Sequence, residues 1–156
     1  MWQTPVTDRT QNDTLTARAE QSTISENKGA LNYQDLNRIE GNHKELIQWL
    51  AQNGYYVPHT YRDFLESFNS TRYTDWQELN IPWLSEINRI RDNYNYIIRD
   101  YLTGLGLSYL TKGNYLMWAE VNTWESLALL CKETIENMQK EFIYCGTVNC
   151  GGDILL

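Results

Sequence analysis

The chain has 156 residues, which suits one domain or a domain with an arm, and 42% of them are hydrophobic, enough to bury a core. The net charge is −7 and the Lys and Arg residues are scattered rather than striped, so the surface repels phosphate and a nucleic-acid partner is not expected. No secretory leader is visible, and no run approaches the roughly 18 apolar residues of a membrane span, so synthesis in a cytoplasm and no membrane partner are expected.

Residues 1–29 are polar, and their few apolar members, Trp2, Val6, Leu15 and Ile24, follow no period. Such a segment cannot offset its own ordering entropy. It reads either as a disordered tail or as an extended docking arm with Trp2 as its anchor. A helix is expected over 33–53. Asn32 caps it, Asp35 places negative charge in the first turn, and Leu36, Ile39, His43, Leu46, Ile47 and Leu50 form one stripe up to Gly54. The connection 55–80 is aromatic, with Tyr55, Tyr56, Tyr61, Phe64, Phe68, Tyr73 and Trp76 clamping it to the helices. Thr60 and Asp63 mark a short helix through Phe68.

A second helix is expected over 82–103, opened by Asn80 and Pro82 and closed by Gly104 and Gly106. Its stripe is Leu84, Ile87, Ile90, Tyr94, Ile97, Ile98 and Tyr101. The third helix, expected over 115–142 behind Asn114, alternates four and three residues through Met117, Val121, Trp124, Ala128, Cys131, Ile135, Met138 and Phe142. From Ile143 to Val148 the chain reads as a short strand, with Gly151 and Gly152 as a turn. The fold class expected is therefore mainly α. It comprises a bundle of three longer helices with heptad-like stripes over 30–142, an extended arm over 1–29 and a short extended or hairpin segment over 143–156.

Residues able to carry chemistry are few. His43 lies on an apolar stripe and His59 follows Pro58 in a loop. Cys131 continues the core pattern, while Cys145 and Cys150 are close enough for a hairpin pair yet read as reduced thiols. No nucleophile elbow, H-E-x-x-H motif or glycine-rich phosphate loop is present. The expectation is a protein that is not an enzyme, with no catalytic residue, no cofactor and no metal.

The first two expected helices echo one another. Leu36-Asn37-Arg38-Ile39-Glu40-Gly41-Asn42 aligns with Ile87-Asn88-Arg89-Ile90-Arg91-Asp92-Asn93. In each, the Arg and the later Asn are four apart and share a helix face. Arg38, Asn42, Arg89 and Asn93 therefore form a candidate polar seam, in which Arg reaches an acceptor across an interface and Asn fixes register. Arg91 breaks the pattern by standing where Glu40 stands in the first copy.

Two stretches carry a resemblance. Trp2-Gln3-Thr4-Pro5-Val6-Thr7-Asp8-Arg9-Thr10 and the segment from Gly29 to Asn42 are similar to small tail and baseplate-associated proteins of phages and prophages of Gram-positive bacteria. Those proteins open on W-x-T-P-x-T-D-R and continue to N-x-x-D-L-N-R-I-E-x-N. The run from Cys145 to Gly152 is more loosely similar to their C-termini. The resemblance implies a structural subunit of a phage tail or phage-tail-like particle, made in the bacterial cytoplasm and found in the virion tail. It implies partners in other copies of the chain, a trimer first, and in neighbouring tail or baseplate proteins. It also adds Trp2, Pro5, Asp8 and Arg9 to the interaction residues. The alternative is a tail-fibre attachment or host-recognition adaptor, whose surface aromatics, such as Trp76 or Trp118, would meet a receptor.

Overall fold

In the computed structural model, residues 1–20, 28–53, 75–78, 80 and 82–147 are described, with 101 and 141–147 described by backbone alone. The chain is mainly helical, and no strand occurs among the described residues. Helix α1 spans Gln11–Ala19, α2 Tyr33–Gln52, α3 Leu84–Tyr101 and α4 Trp118–Thr147, with a 3-10 turn at Thr103–Leu105.

The caps explain where the helices start. Asn32 Oδ1 accepts from the Gln34 and Asp35 N–H groups at 2.8 and 3.1 Å, and Asp35 accepts from the Asn32 N–H at 3.2 Å. The start of α2 is thus the one its sequence announces. Helix α3 begins later than Asn80 and Pro82 suggest. Asn80 spends its side chain on the Gln77 N–H, and Glu86 instead reaches back to the Trp83 N–H at 2.7 Å. Helix α4 begins at Trp118 rather than 115: the carbonyls of Gly113 and Tyr115 accept from Arg91, and the first helical bonds run from the Glu120 and Val121 N–H groups to the Met117 carbonyl.

Two expectations for the ends are corrected. Residues 143–147 are helical, not extended, because α4 runs on to Thr147. A helix satisfies its own backbone, whereas a strand here finds no strand to pair with among the described residues. Inside the arm expected to be extended, Gln11–Ala19 form α1. A capping box makes this helix: Asp13 N–H donates to Thr10 Oγ1 at 3.2 Å and Thr10 N–H donates to Asp13 at 2.7 Å. It buries only Ala17, which is why no apolar period signals it. Gly29 packs flat against this helix, where a Cβ would fall 2.1 Å from the Asp13 carbonyl carbon. Gly54, His59, Cys150 and the aromatics from Tyr55 to Tyr73 lie outside the described residues, as does the short helix expected through Phe68.

Helices α2, α3 and α4 surround one core built from Leu36, Ile39, Leu46, Ile47 and Leu50, from Ile87, Ile90, Tyr94, Ile97 and Ile98, and from Val121, Trp124, Ala128, Cys131 and Ile135. Burial pushes the Cys131 thiol up to about 12, so it is inert packing. Of the stripe expected on α4, Met117 is exposed and Met138 half-buried.

The three helices point the same way. His43 and Tyr94 meet edge-on at 5.2 Å, and each is the eleventh residue of its helix. Lys132, fifteenth in α4, lies 5.9 Å from the ring centre of Trp49, seventeenth in α2. Earlier along the same helices Glu40 pairs with Arg89 and Arg38 with Glu125, so the contacts advance together, whereas antiparallel neighbours would meet in opposite order. Parallel helices need long returns, and residues 102–117 provide one. An extended run of that length can reach about 50 Å, well beyond the length of α3.

Candidate functional site: an arm laid between two helices

The first nine residues lie along α2 and α4 and are held mainly by their backbone. Gln3 N–H donates to Asn42 Oδ1 at 2.8 Å, while Asn42 Nδ2 donates to the Gln3 carbonyl at 2.7 Å. Six residues on, Asn122 does the same for Arg9. Its Oδ1 accepts from the Arg9 N–H at 3.2 Å and its Nδ2 donates to the Arg9 carbonyl at 2.8 Å. Between them, Val6 N–H donates to Glu125 at 3.0 Å. An Asn amide has the donor–acceptor pair of a peptide group, so it replaces the neighbouring strand that an extended segment would otherwise need.

The arm ends in a buried charge cluster. Arg9, 3% exposed, donates from Nη2 to Asp35 at 2.9 Å and to Glu125 at 3.1 Å, and from Nη1 to the Val6 carbonyl at 2.5 Å. Arg38 meets the same two carboxylates, reaching Glu125 at 2.6 Å and pairing with Asp35. Two cations and two anions thus satisfy one another out of water. Removing one leaves uncompensated buried charge. Trp2 stacks on Trp49 with ring centres 5.8 Å apart and planes at 22°. The N-terminal ammonium pairs with Glu45 at 2.5 Å.

The interaction residues expected from sequence therefore divide. Trp2, Arg9, Arg38 and Asn42 come together in this one site. Pro5 is half-buried beside Val6. Asp8 faces outward and pairs with Lys28 at 2.9 Å; that bond and the Lys28 charge hold its carboxyl below the usual range. Arg89 and Asn93 belong elsewhere. Arg89 pairs with Glu40 across α2 and α3, and Asn93 is buried in α3. Sequence reasoning missed Asn122, Glu125 and Asp35 as arm contacts.

A signal for them existed. Val121-Asn122-Thr123-Trp124-Glu125 repeats the apolar-Asn-x-apolar-charged pattern of Leu36–Glu40 and Ile87–Arg91. The structure puts all three in one register: Asn37, Asn88 and Asn122 are each the fifth residue of their helix, and Glu40, Arg91 and Glu125 the eighth. Each of those eighth residues is only 1% exposed. Each also meets a segment lying ahead of a helix. On α2, Asn37 holds Trp76 by its N–H and carbonyl at 2.8 and 2.9 Å, and Glu40 accepts from the Trp76 indole at 2.6 Å. On α3, Arg91 donates to the carbonyls of Gly113 and Tyr115 at 3.1 and 2.9 Å and to Glu120 at 2.5 Å. On α4, Asn122 and Glu125 hold the arm.

Compared with known protein families, curated proteins and solved structures, the chain matches none. Its site is therefore read on its own geometry. That geometry recognises an extended peptide: two-point backbone clamps, a deep seat for one guanidinium and an aromatic shelf. Among the described residues no group of His, Cys, Asp or Glu side chains is placed to hold a metal, and no helix is long and apolar enough to cross a membrane. His43 is buried against Tyr94; burial, with the Arg89 charge, pushes it down to about 3, so it stays neutral packing. An open groove of about 530 Å³ lies beside Arg91, with exposed Tyr109, Tyr115 and Met117 on its rim.

Proposed function

We propose that the chain is a structural subunit of a phage tail or phage-tail-like particle, placed in the baseplate or tail-tip region and working by protein–protein assembly. The observation that carries this reading is that the two stretches with the tail-protein resemblance are the two sides of one contact. Arg9 of the opening W-x-T-P-x-T-D-R segment is bonded to Asp35, and Arg38 of the N-x-x-D-L-N-R-I-E-x-N segment completes their cluster with Glu125. Asn42, the last residue of that segment, holds Gln3. A pattern spent on seating an extended arm suits particles that join their parts by arms. On this reading the bundle is a non-enzymatic scaffold with heptad-like stripes, its partners are sister copies in a trimer and neighbouring tail proteins, and its place is the virion tail.

The adaptor reading has a weaker basis. Trp76, one of its candidate surface aromatics, is buried and bonded to Glu40. What favours it is the exposed Trp83, Tyr109 and Tyr115. The test is to purify particles from producing cells and locate the subunit by mass spectrometry and labelled electron microscopy. Stoichiometric presence at the tail end is expected. A chain absent from every particle, or one that turns over a substrate as a lone molecule, overturns the proposal.

A further inference from the structure

The three clamped segments form a cycle. The segment before α3 is held by α2, the segment before α4 is held by α3, and the segment before α1 and α2 is held by α4. In the first two cases, the holding helix is, among the described residues, the one just before the segment in sequence. The third is different: Val6 and Glu125 are 119 residues apart in sequence, so the seam between the arm and α4 is closed by contacts alone. Self-closure and joining to another molecule would use the same bonds there, as in any head-to-tail interface.

Resting on the assembly reading above, we propose that residues 1–9 are an exchangeable strap: in the assembled state, the arm of one copy fills the α2–α4 track of the next. Three features argue for exchange with a second copy rather than simple undocking. First, the seated arm supplies one of the two guanidinium groups that Asp35 and Glu125 share, so whatever fills the track in its place has to carry the same group. An identical arm does this without loss. Second, α1 is capped by its own Thr10 and Asp13 and buries only Ala17, so it can travel with the arm intact. Third, Lys28 and Gly29, which touch Asp8 and Asp13, sit on the receiving side. The contacts of Asp8 and Asp13 are therefore remade with the next copy along with those of the arm. The chain from Glu20 to Lys28 limits the reach to roughly 30 Å, so only adjoining copies can trade.

The contact between the Met1 ammonium and Glu45 gives a direct test on the unmodified full chain. Isotopically heavy and light protein are mixed over a range of concentrations, and a carbodiimide then joins the amine to the carboxylate without a spacer. Mass spectrometry reads the Met1–Glu45 pairs. Exchange gives heavy–light pairs whose share rises with concentration, and the same pairs in reassembled particles. Only heavy–heavy and light–light pairs at every concentration overturn it, as does Glu45 joined to another protein's amine in the particle. The tail assignment stands or falls separately, on whether particles contain the chain at all.

Discussion

Two of the clamped segments are held by the same Asn-x-x-Glu frame and differ in what fills it. On α4, Asn122 and Glu125 seat Arg9. On α2, Asn37 and Glu40 seat Trp76. Both frames read the backbone in the same way, yet their buried carboxylates lead different lives. Glu125 meets two guanidinium groups and a backbone N–H. Glu40 meets an indole N–H and the Arg89 charge, and burial outweighs both, pushing it up to about 7. The comparison teaches that one frame can seat a guanidinium or an indole, and that the filling side chain decides how the buried carboxylate beside it is compensated.

Breaking each lock at its filler has the largest expected effect. Arg9→Ala leaves Asp35 and Glu125 buried with one cation, at a cost of about 3–5 kcal/mol in a denaturant melt. Trp76→Ala costs a similar ~3–5 kcal/mol, but through lost packing.

The carboxylates sharpen the contrast. Glu125→Gln strands Arg9 and Arg38 and should cost several kcal/mol, on the order of the buried pairs in other proteins. Glu40→Gln should cost clearly less at pH 8, since the wild-type chain already bears the strain of an ionised buried carboxylate there. If Glu40→Gln is the worse of the two, the comparison fails.

Sequence reveals these frames unevenly. The cap and stripe of α2 were legible because Asn32, Asp35 and the apolar spacing all agree. The third copy of the pattern was not, because Thr123 stands where Arg38 and Arg89 stand and the interval between copies changes from 51 to 34 residues. Charge order is also swapped in the second copy: there the eighth residue is the cation Arg91 and the anion is Glu120, whereas elsewhere the eighth residue is acidic. Helix α1 left no apolar signal because caps, not burial, make it. The destination of the arm could not be read from a polar segment whose contacts run through its backbone, which every sequence shares. The strand expected at 143 failed because short apolar runs do not declare whether a helix continues through them.

Smaller effects test the clamps themselves. Asn122→Ala and Asn37→Ala each remove two backbone bonds and should cost about 1–3 kcal/mol, with the two values close to one another. A clear inequality would show that the shared frame is only a likeness of pattern.

The gentlest probe is pH. Glu40 titrates near 7 in the folded chain against about 4.5 ordinarily, so between these values the folded state holds a proton the unfolded state has lost. Stability therefore falls as pH rises through that window, by at most about 1.4 kcal/mol per pH unit. His43, held near 3 against 6.5, acts oppositely: stability falls as pH drops from 6.5 towards 3. The two offset each other between 4.5 and 6.5. Melts should show a broad optimum there, and Glu40→Gln should remove the fall above 6.5 and turn the flat stretch between 4.5 and 6.5 into a rise with pH, since His43 then acts alone.

Amide hydrogen exchange on the full chain probes the seating of the arm most directly. The N–H groups of Gln3, Val6 and Arg9 donate only to side chains of α2 and α4. They and the clamped Trp76 amide should exchange slowly, and Asn122→Ala should release Arg9 while Trp76 stays protected. Exchange of all three at the rate of an unstructured peptide would contradict the account.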